Sequence, residues 1–523
     1  MKSILFLLIN LLIFQSISAQ TIEDAWIFFS DKPQSSSYLT NPLNMLSQRA
    51  LDRRARYNIS LDIKDVPVEV TYLSQVAQAN GISIMAKSKW MNAVHVQGFE
   101  SDIRNLSSLS FVDHIEFANK NIPSITRPIT DNYPTIATKT FYDYGNGANQ
   151  INMLHGEYLH QNNFTGQGVL IGIIDAGFTS LDTELFFSDL FSQSRIVDKY
   201  NFPDNNVDVY QRSMHGTGVL STIGSQDDGN LVGTAPDALF ALYISEDVNQ
   251  EMPIEETYWA AAAERADSIG VDVINTSLGY MTFDRADYNY SMSDLDGQTS
   301  FVSRAATIAV SRGINVVVAA GNSGASSWPK IGFPADTDAV ITVGAVDVSG
   351  QVASFSSRGP TADARVKPDV MAQGEGASVF WNGSIQNLNG TSFSSPIMAG
   401  LVACLVQANP NANPQQIKQS IIQTADKFAI PDDDYGYGIP DFSQNSLLSV
   451  SQNRFDNLII YPNPTQQYLH INISKKRNYK IIDIMGKLVK QGNTDGDIAL
   501  TELSSGIYFL QIKQQTYKFI KNE

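Results

Sequence analysis

The decapeptide GVLIGIIDAG, residues 168–177, decides the fold. From Val169 to Ile174 it has no polar residue, and it stops on Asp175 and a glycine turn. A strand with one face in water alternates polar with apolar residues, so an unbroken apolar run marks a strand covered on both faces. The runs VDVINTSLG (271–279), INVVVAAGN (314–322) and AVITVGAV (339–346) repeat the pattern, and ETYWAAAAERADSIG (256–270) and FVSRAATIAVSRG (301–313) read as helices between them. Buried strands joined by crossover helices predict an α/β domain with a parallel sheet, here from about 151 to 445. Such sheets place their chemistry at the carboxyl ends of the strands. Asp175, Gly279 and Asn322 stand at or just beyond those ends.

A chain of 523 residues is too long for one core, and the pattern changes on either side of this block. Residues 20–135 carry the short strand-like runs AWIFFS, GISIMAK, MNAVHVQGF and VDHIEFA around helical stretches, which predicts a small α+β domain. Within it, SQRALDRRARY (47–57) reads as a cationic helix whose arginines face water. A stretch rich in proline, threonine and glycine follows, with a linker placed at 136–150. Residues 455–523 alternate apolar and polar positions between turn residues (NLIIYPNPTQQYLHINIS, YKIIDIMGKLVKQG, IALTELSSGIYFLQIK), which predicts a small all-β sandwich.

The opening MKSILFLLINLLIFQSISAQ has a lysine, an apolar run from Ile4 to Phe14 and Ala19 before Gln20. It reads as a signal peptide over 1–19, since the run is too short to cross a bilayer. No later segment is long and apolar enough to be a membrane helix. Despite that export signal, Cys404 is the single cysteine, which excludes an internal disulfide; its apolar surroundings mark a core residue. With 53 acidic against 36 basic residues and a net charge of −17, the chain is unsuited to nucleic acid, which is held by phosphate neutralisation.

Three motifs stand in order in the parallel-sheet block: IIDAG with Asp175, HGTGV with His215, and GTSFSSP with Ser392. Alone, each is commonplace, as a turn aspartate, a surface histidine or a helix cap. Together, on an α/β pattern, they match the needs of a serine nucleophile. A serine hydroxyl requires a base within hydrogen-bond reach, and the imidazole requires a carboxylate that fixes its tautomer. Attack on a carbonyl builds an oxyanion, for which the Asn322 amide and the Ser392 N–H at a helix start are suitable donors. Gly390 permits close approach, Pro396 lies early enough in the helix to be tolerated, and Ser394 and Ser395 read as packing or capping residues.

Through GVLIGIIDAG, HGTGVLSTIGS, INTSLG, VVVAAGNSG, FSSRGPTADARVKPDV and GTSFSSPIMAG, residues 165–440 resemble the subtilisin-like serine proteases. The resemblance implies a secreted endopeptidase acting through an acyl-enzyme, with Asp175, His215 and Ser392 as the triad and Asn322 in the oxyanion hole. It implies that Ser277, Leu278 and Gly279 form a backbone strand that pairs with an extended polypeptide substrate. It also implies that residues 20–135 are a propeptide that assists folding and blocks the cleft, with a cut between 120 and 148. The final block resembles the C-terminal sorting domain of type IX secretion, which implies passage through the periplasm and outer membrane by that machinery. A sugar-binding sandwich is the competing reading of this block, although Tyr461, Tyr468 and Tyr508 also suit core or turn positions. For the whole chain, the rivals are a catalytically silent surface binding protein and an esterase using the same triad. No cofactor is needed for the chemistry and no metal site is assigned. The Asp- and Tyr-rich segment 280–300 lacks the regular spacing of a calcium loop and reads as solvated, as do the aspartates of PDDDYGYG, so a structural calcium stays unassigned.

Overall fold

The N-terminal domain is built on a four-stranded antiparallel sheet in the order β2-β3-β1-β4, from β1 (Ile22–Phe29), β2 (Ser83–Ser88), β3 (Ala93–Phe99) and β4 (Val112–Phe117). The computed structural model describes residues 21–122, 142–450 and 460–522, apart from 462, 464, 472–475, 485–486 and 513–514. The signal-peptide reading and the stretch 123–141 lie outside the described residues.

Nearly every residue of β1 is buried because both faces of its sheet are covered. Ala25, Ile27 and Phe29 face a core shared with Val76 and Ile103, from the domain's own helices Val70–Ala77 and Glu100–Asn105. Trp26 and Phe28 point the other way, onto the larger domain, where Trp26 stacks on Phe301 at 4.9 Å and its indole N–H donates to Thr257 Oγ1 at 2.8 Å. The alternation of period two is present, but it separates two cores instead of core from water.

The larger domain holds the predicted sheet: seven strands, all parallel, in the order β11-β10-β9-β8-β5-β7-β6. They are β5 (Leu170–Asp175), β6 (Ile196–Asn201), β7 (Leu239–Ile244), β8 (Val273–Thr276), β9 (Asn315–Ala319), β10 (Ile341–Val346) and β11 (Val370–Gln373). Four of these are the quoted apolar runs. The N-terminal domain contributes α1 (Gln48–Arg56), and the larger domain α2 (His215–Gly224), α3 (Ile254–Ile269), α4 (Phe301–Ser311) and α5 (Thr391–Ala408), of which α2 and α5 carry site residues. One face of the sheet packs on α2 and α5, the other on α3 and α4.

Four readings need correction. The helix α1 is not simply solvated: Arg49 and Arg56 are partly exposed, but Arg53 and Arg54 are buried against Asp267 of α3. Segment 280–300 keeps Asp284 and Asp287 in water but buries Tyr280, Phe283, Tyr288, Tyr290 and Leu295. It also receives the N-terminal domain, with Arg285 paired to Glu23 at 2.8 Å and Lys120 N–H donating to Asp287 O at 2.9 Å. The helix α5 is long and apolar enough to cross a membrane, with mean hydropathy 1.4. All its residues except Gln407 are buried in the protein, so it serves as the core helix. Residues 142–150, read as linker, are ordered: Gly145 bridges Leu231, and Ala148 opens a short helix.

Residues 450–523 form a second compact unit of two antiparallel sheets. Leu469 and Ile498 from one sheet and Ile481, Leu510 and Phe519 from the other share one core, as the predicted sandwich requires. Tyr508 is part of that core, its hydroxyl donating to Ser504 O at 2.9 Å, whereas Tyr468 is exposed.

Candidate active site

Asp175 is the last residue of β5 and is fully buried. His215 opens α2, and its Nδ1 lies 2.8 Å from Asp175 Oδ1. The HGTG sequence makes this approach feasible: Gly216 N–H donates to Gly177 O at 2.9 Å, and a Cβ on Gly216 would stand 2.6 Å from that same oxygen. Any side chain there would push the first turn of α2, and with it the imidazole, away from Asp175. Burial disfavours the imidazolium, but the charge and hydrogen bond of Asp175 outweigh it and hold the His215 pKa above the ordinary value. The His215 side chain keeps 27% of its surface open, so the pair has access to a substrate.

Ser392 is the second residue of α5, and Phe393 beside it places its ring 6.2 Å from the His215 imidazole. The Ser392 hydroxyl donates to Ser277 O at 3.5 Å, too long to fix it. Its carbonyl is held better. Pro396 lacks the N–H that would bond four residues back to Ser392 O, and the Ser277 hydroxyl donates to that oxygen at 2.9 Å. Ser277 in turn is held by Asn275, whose Nδ2 donates to Ser277 Oγ at 3.2 Å and whose Oδ1 accepts from Ser395 at 2.9 Å. The strand following β8 and the start of α5 are thus tied through side chains of both. Ser277 is buried, Leu278 half-buried and Gly279 exposed, so this segment leads from the serine to the surface.

Asn322 lies just past β9, with its Oδ1 accepting from the N–H and hydroxyl of Thr391 at 2.8 and 2.9 Å. With the oxygen so engaged, the amide NH2 is left beside Gly390, where an added Cβ would stand 3.7 Å from Nδ2. Gly390 has φ of +156° and precedes the first turn of α5. A donor side chain and a helix N-terminus therefore meet next to Ser392.

All seven residues singled out from the sequence lie at the carboxyl-end edge of β5, β8 and β9 or on the helices that meet it. Sequence reasoning passed over Asn275 and Thr391, which position Ser277 and Asn322, and Glu246. The Glu246 carboxyl follows β7, accepts from the Ser245 and Tyr280 hydroxyls at 2.5 and 2.7 Å, and acts through its charge on His215. Burial pushes it up to about 7. Cys404 is buried, with its thiol donating to Thr234 O at 3.2 Å and burial raising its pKa, as a core residue should be. Among the described residues, no group of three or more His, Cys, Asp or Glu side chains is disposed to hold a metal ion.

Comparison with known proteins matches three separate segments of the chain. Residues 166–438, just over half of the chain, match the model of the subtilase family. Residues 24–133 match the peptidase S8 propeptide domain of Bacteroidota, and 459–522 a secretion system C-terminal sorting domain. Subtilisin DY of Bacillus licheniformis is 31% identical over 291 residues, covering 55% of this chain and 93% of that protein. Subtilisin E of Bacillus subtilis (strain 168) is 31% identical over 278 residues, and serine protease AprX of the same strain 30% over 305, covering 53% and 52% of this chain and 65% of each relative.

Proposed function

Because the chain belongs to the subtilase family of serine proteases, with a propeptide ahead of the catalytic domain and a sorting tail behind it for export to the cell surface or beyond, we propose that it is an endopeptidase that attacks peptide bonds with Ser392. His215 takes the hydroxyl proton as Ser392 adds to the scissile carbonyl, then returns it to the departing amine. Asp175 orients the ring and stabilises its cation. The Asn322 amide and the Ser392 N–H bind the oxyanion, and the collapse of the tetrahedral adduct leaves an acyl-enzyme that water hydrolyses. Residues Ser277–Gly279 pair with the substrate backbone as an added strand, which favours extended polypeptides over small esters. No cofactor enters these steps. Removal of the propeptide, by a cut between 120 and 148, opens the cleft.

The observation that carries this reading is the Asp175–His215 pair at 2.8 Å, set beside a serine at the N-terminus of a buried helix. The test is to incubate the purified chain and its Ser392→Ala variant side by side, following intact mass and cleavage of a denatured protein substrate. Wild type should shed an N-terminal fragment ending between 120 and 148 and cut the substrate. Ser392→Ala should lose activity by roughly a million-fold in kcat, the magnitude known for a subtilisin. Equal turnover by the two would remove Ser392 from the nucleophile's role.

A further inference from the structure

The catalytic domain holds a second polar pocket, at the C-terminal end of α3, that this chemistry does not use. Arg53 enters it from the propeptide and is fully buried. Atoms of the catalytic domain accept its donors: Nε donates to Arg312 O at 3.1 Å, Nη1 to Val271 O, and Nη2 to the Asp267 carboxylate and, at 3.4 Å, to Asp267 O. Arg54 lies alongside, its Nη2 donating to both Asp267 oxygens at 3.0 and 2.8 Å and to Asp65 of the propeptide at 2.7 Å. Three carbonyls and one carboxylate converge on a single guanidinium. That set matches the fixed fork of arginine and does not match the single-point ammonium of lysine.

Asp267 makes little sense for the catalytic domain alone. It sits in the last turn of α3, where the helix dipole disfavours an anion and where no basic residue compensates. Its side chain is fully buried. Burial alone would raise its pKa, but Arg54 and Arg53 outweigh that and hold it below the ordinary range. Both arginines come from the propeptide. The pocket also lies away from the triad: Val271 and Arg312 precede β8 and β9, so it stands at the amino ends of strands whose carboxyl ends carry the chemistry.

We propose that the end of α3 is a guanidinium-binding site of the catalytic domain, filled by Arg53 in the uncut chain, which keeps the propeptide docked after its junction is cleaved. The proposal rests on the maturation step given above. Arg49 and Arg56, which reach Asp272 but stay partly in water, are accessory.

The test compares wild type, Arg53→Lys, Asp267→Asn and, as a control, Arg56→Lys, all as full chains, for how long the cut propeptide co-elutes with the enzyme in gel filtration. Asp267→Asn should shorten retention at least roughly thirtyfold, as expected for loss of one partner of a buried charge pair, and Arg53→Lys, which keeps the charge but leaves buried carbonyls without a donor, at least roughly tenfold, with kcat of the freed enzyme unchanged in both. Arg56→Lys should stay within about twofold of wild type. Wild-type retention in both pocket variants would overturn the proposal while leaving the protease reading intact. Should the wild-type chain never be cut, the maturation step fails instead, and the pocket is tested by hydrogen exchange at the amides of α1. Faster exchange in Arg53→Lys supports it, and unchanged exchange refutes it. Should the variants not fold, wild type is challenged with agmatine against sodium chloride at equal ionic strength. Earlier propeptide loss or faster α1 exchange in agmatine alone supports a guanidinium site, and no difference rejects it.

Discussion

Replacing Ser277 by alanine tests how the nucleophile is held. The hydroxyl of Ser277 supplies the donor that Pro396 denies to the Ser392 carbonyl, and it accepts from the Asn275 amide. Ser392 is 8% exposed and Asn275 not at all, so water replaces neither bond easily. A buried polar group left without a partner costs about 1–3 kcal/mol, and the two together predict a loss of about 2–6 kcal/mol for Ser277→Ala. Denaturant unfolding in a Ser392→Ala background, where self-digestion is excluded, measures it. In the active background, the freed carbonyl loosens the first turn of α5, and kcat should fall roughly ten- to a hundred-fold, the scale on which small misplacements of a reacting group act. Pro396→Ala supplies the missing N–H. It should therefore recover about 1 kcal/mol or more in the Ser277→Ala protein beyond whatever it does to wild type. Ser277→Ala within about 0.5 kcal/mol of its parent, or a Pro396→Ala effect equal in both backgrounds, would refute the reasoning.

Asn322→Ala should lower kcat about a hundred- to a thousand-fold, the magnitude known for such a donor in subtilisin, and cost about 1–3 kcal/mol in unfolding because buried Thr391 loses its acceptor; a KM effect alone would place Asn322 outside the oxyanion site. His215 must be neutral to accept a proton, so kcat/KM should rise with pH through a midpoint above the ordinary histidine value. The Glu246 charge contributes to that elevation, so Glu246→Gln should move the acid limb to lower pH; a stationary midpoint in a pH–rate profile would show that the two groups do not interact. Cys404 should resist thiol reagents until the catalytic domain unfolds, and labelling of native protein at the rate of a free thiol would contradict its burial.

The sequence shows the sheet and the reacting residues for one shared reason: both are written in short, contiguous stretches. An apolar run such as 169–174 has no other comfortable environment, and a serine nucleophile demands an Asp, a His and a helix-start Ser whatever the rest of the chain does. β6 escaped notice because it lies at the sheet edge, and its sequence IVDKYN is mostly half exposed, which leaves no apolar run to read. Arg53 and Asp267 escaped for a different reason. Charge is soluble by default, and only a partner 214 residues away makes burial tolerable, so the local sequence around either residue describes a surface. The same holds for Glu246, which reads as a loop acid in ISED and becomes a buried group through Tyr280, 34 residues on. Tyr288 likewise looks solvated among the aspartates of 280–300 until Asp24 of the propeptide accepts from its hydroxyl at 3.1 Å. In each case the missing information is a long-range polar pairing. The residues proposed for catalysis are recognisable from their short motifs, whereas those proposed to dock the propeptide and to act on His215 can be identified only once the fold has brought their partners together.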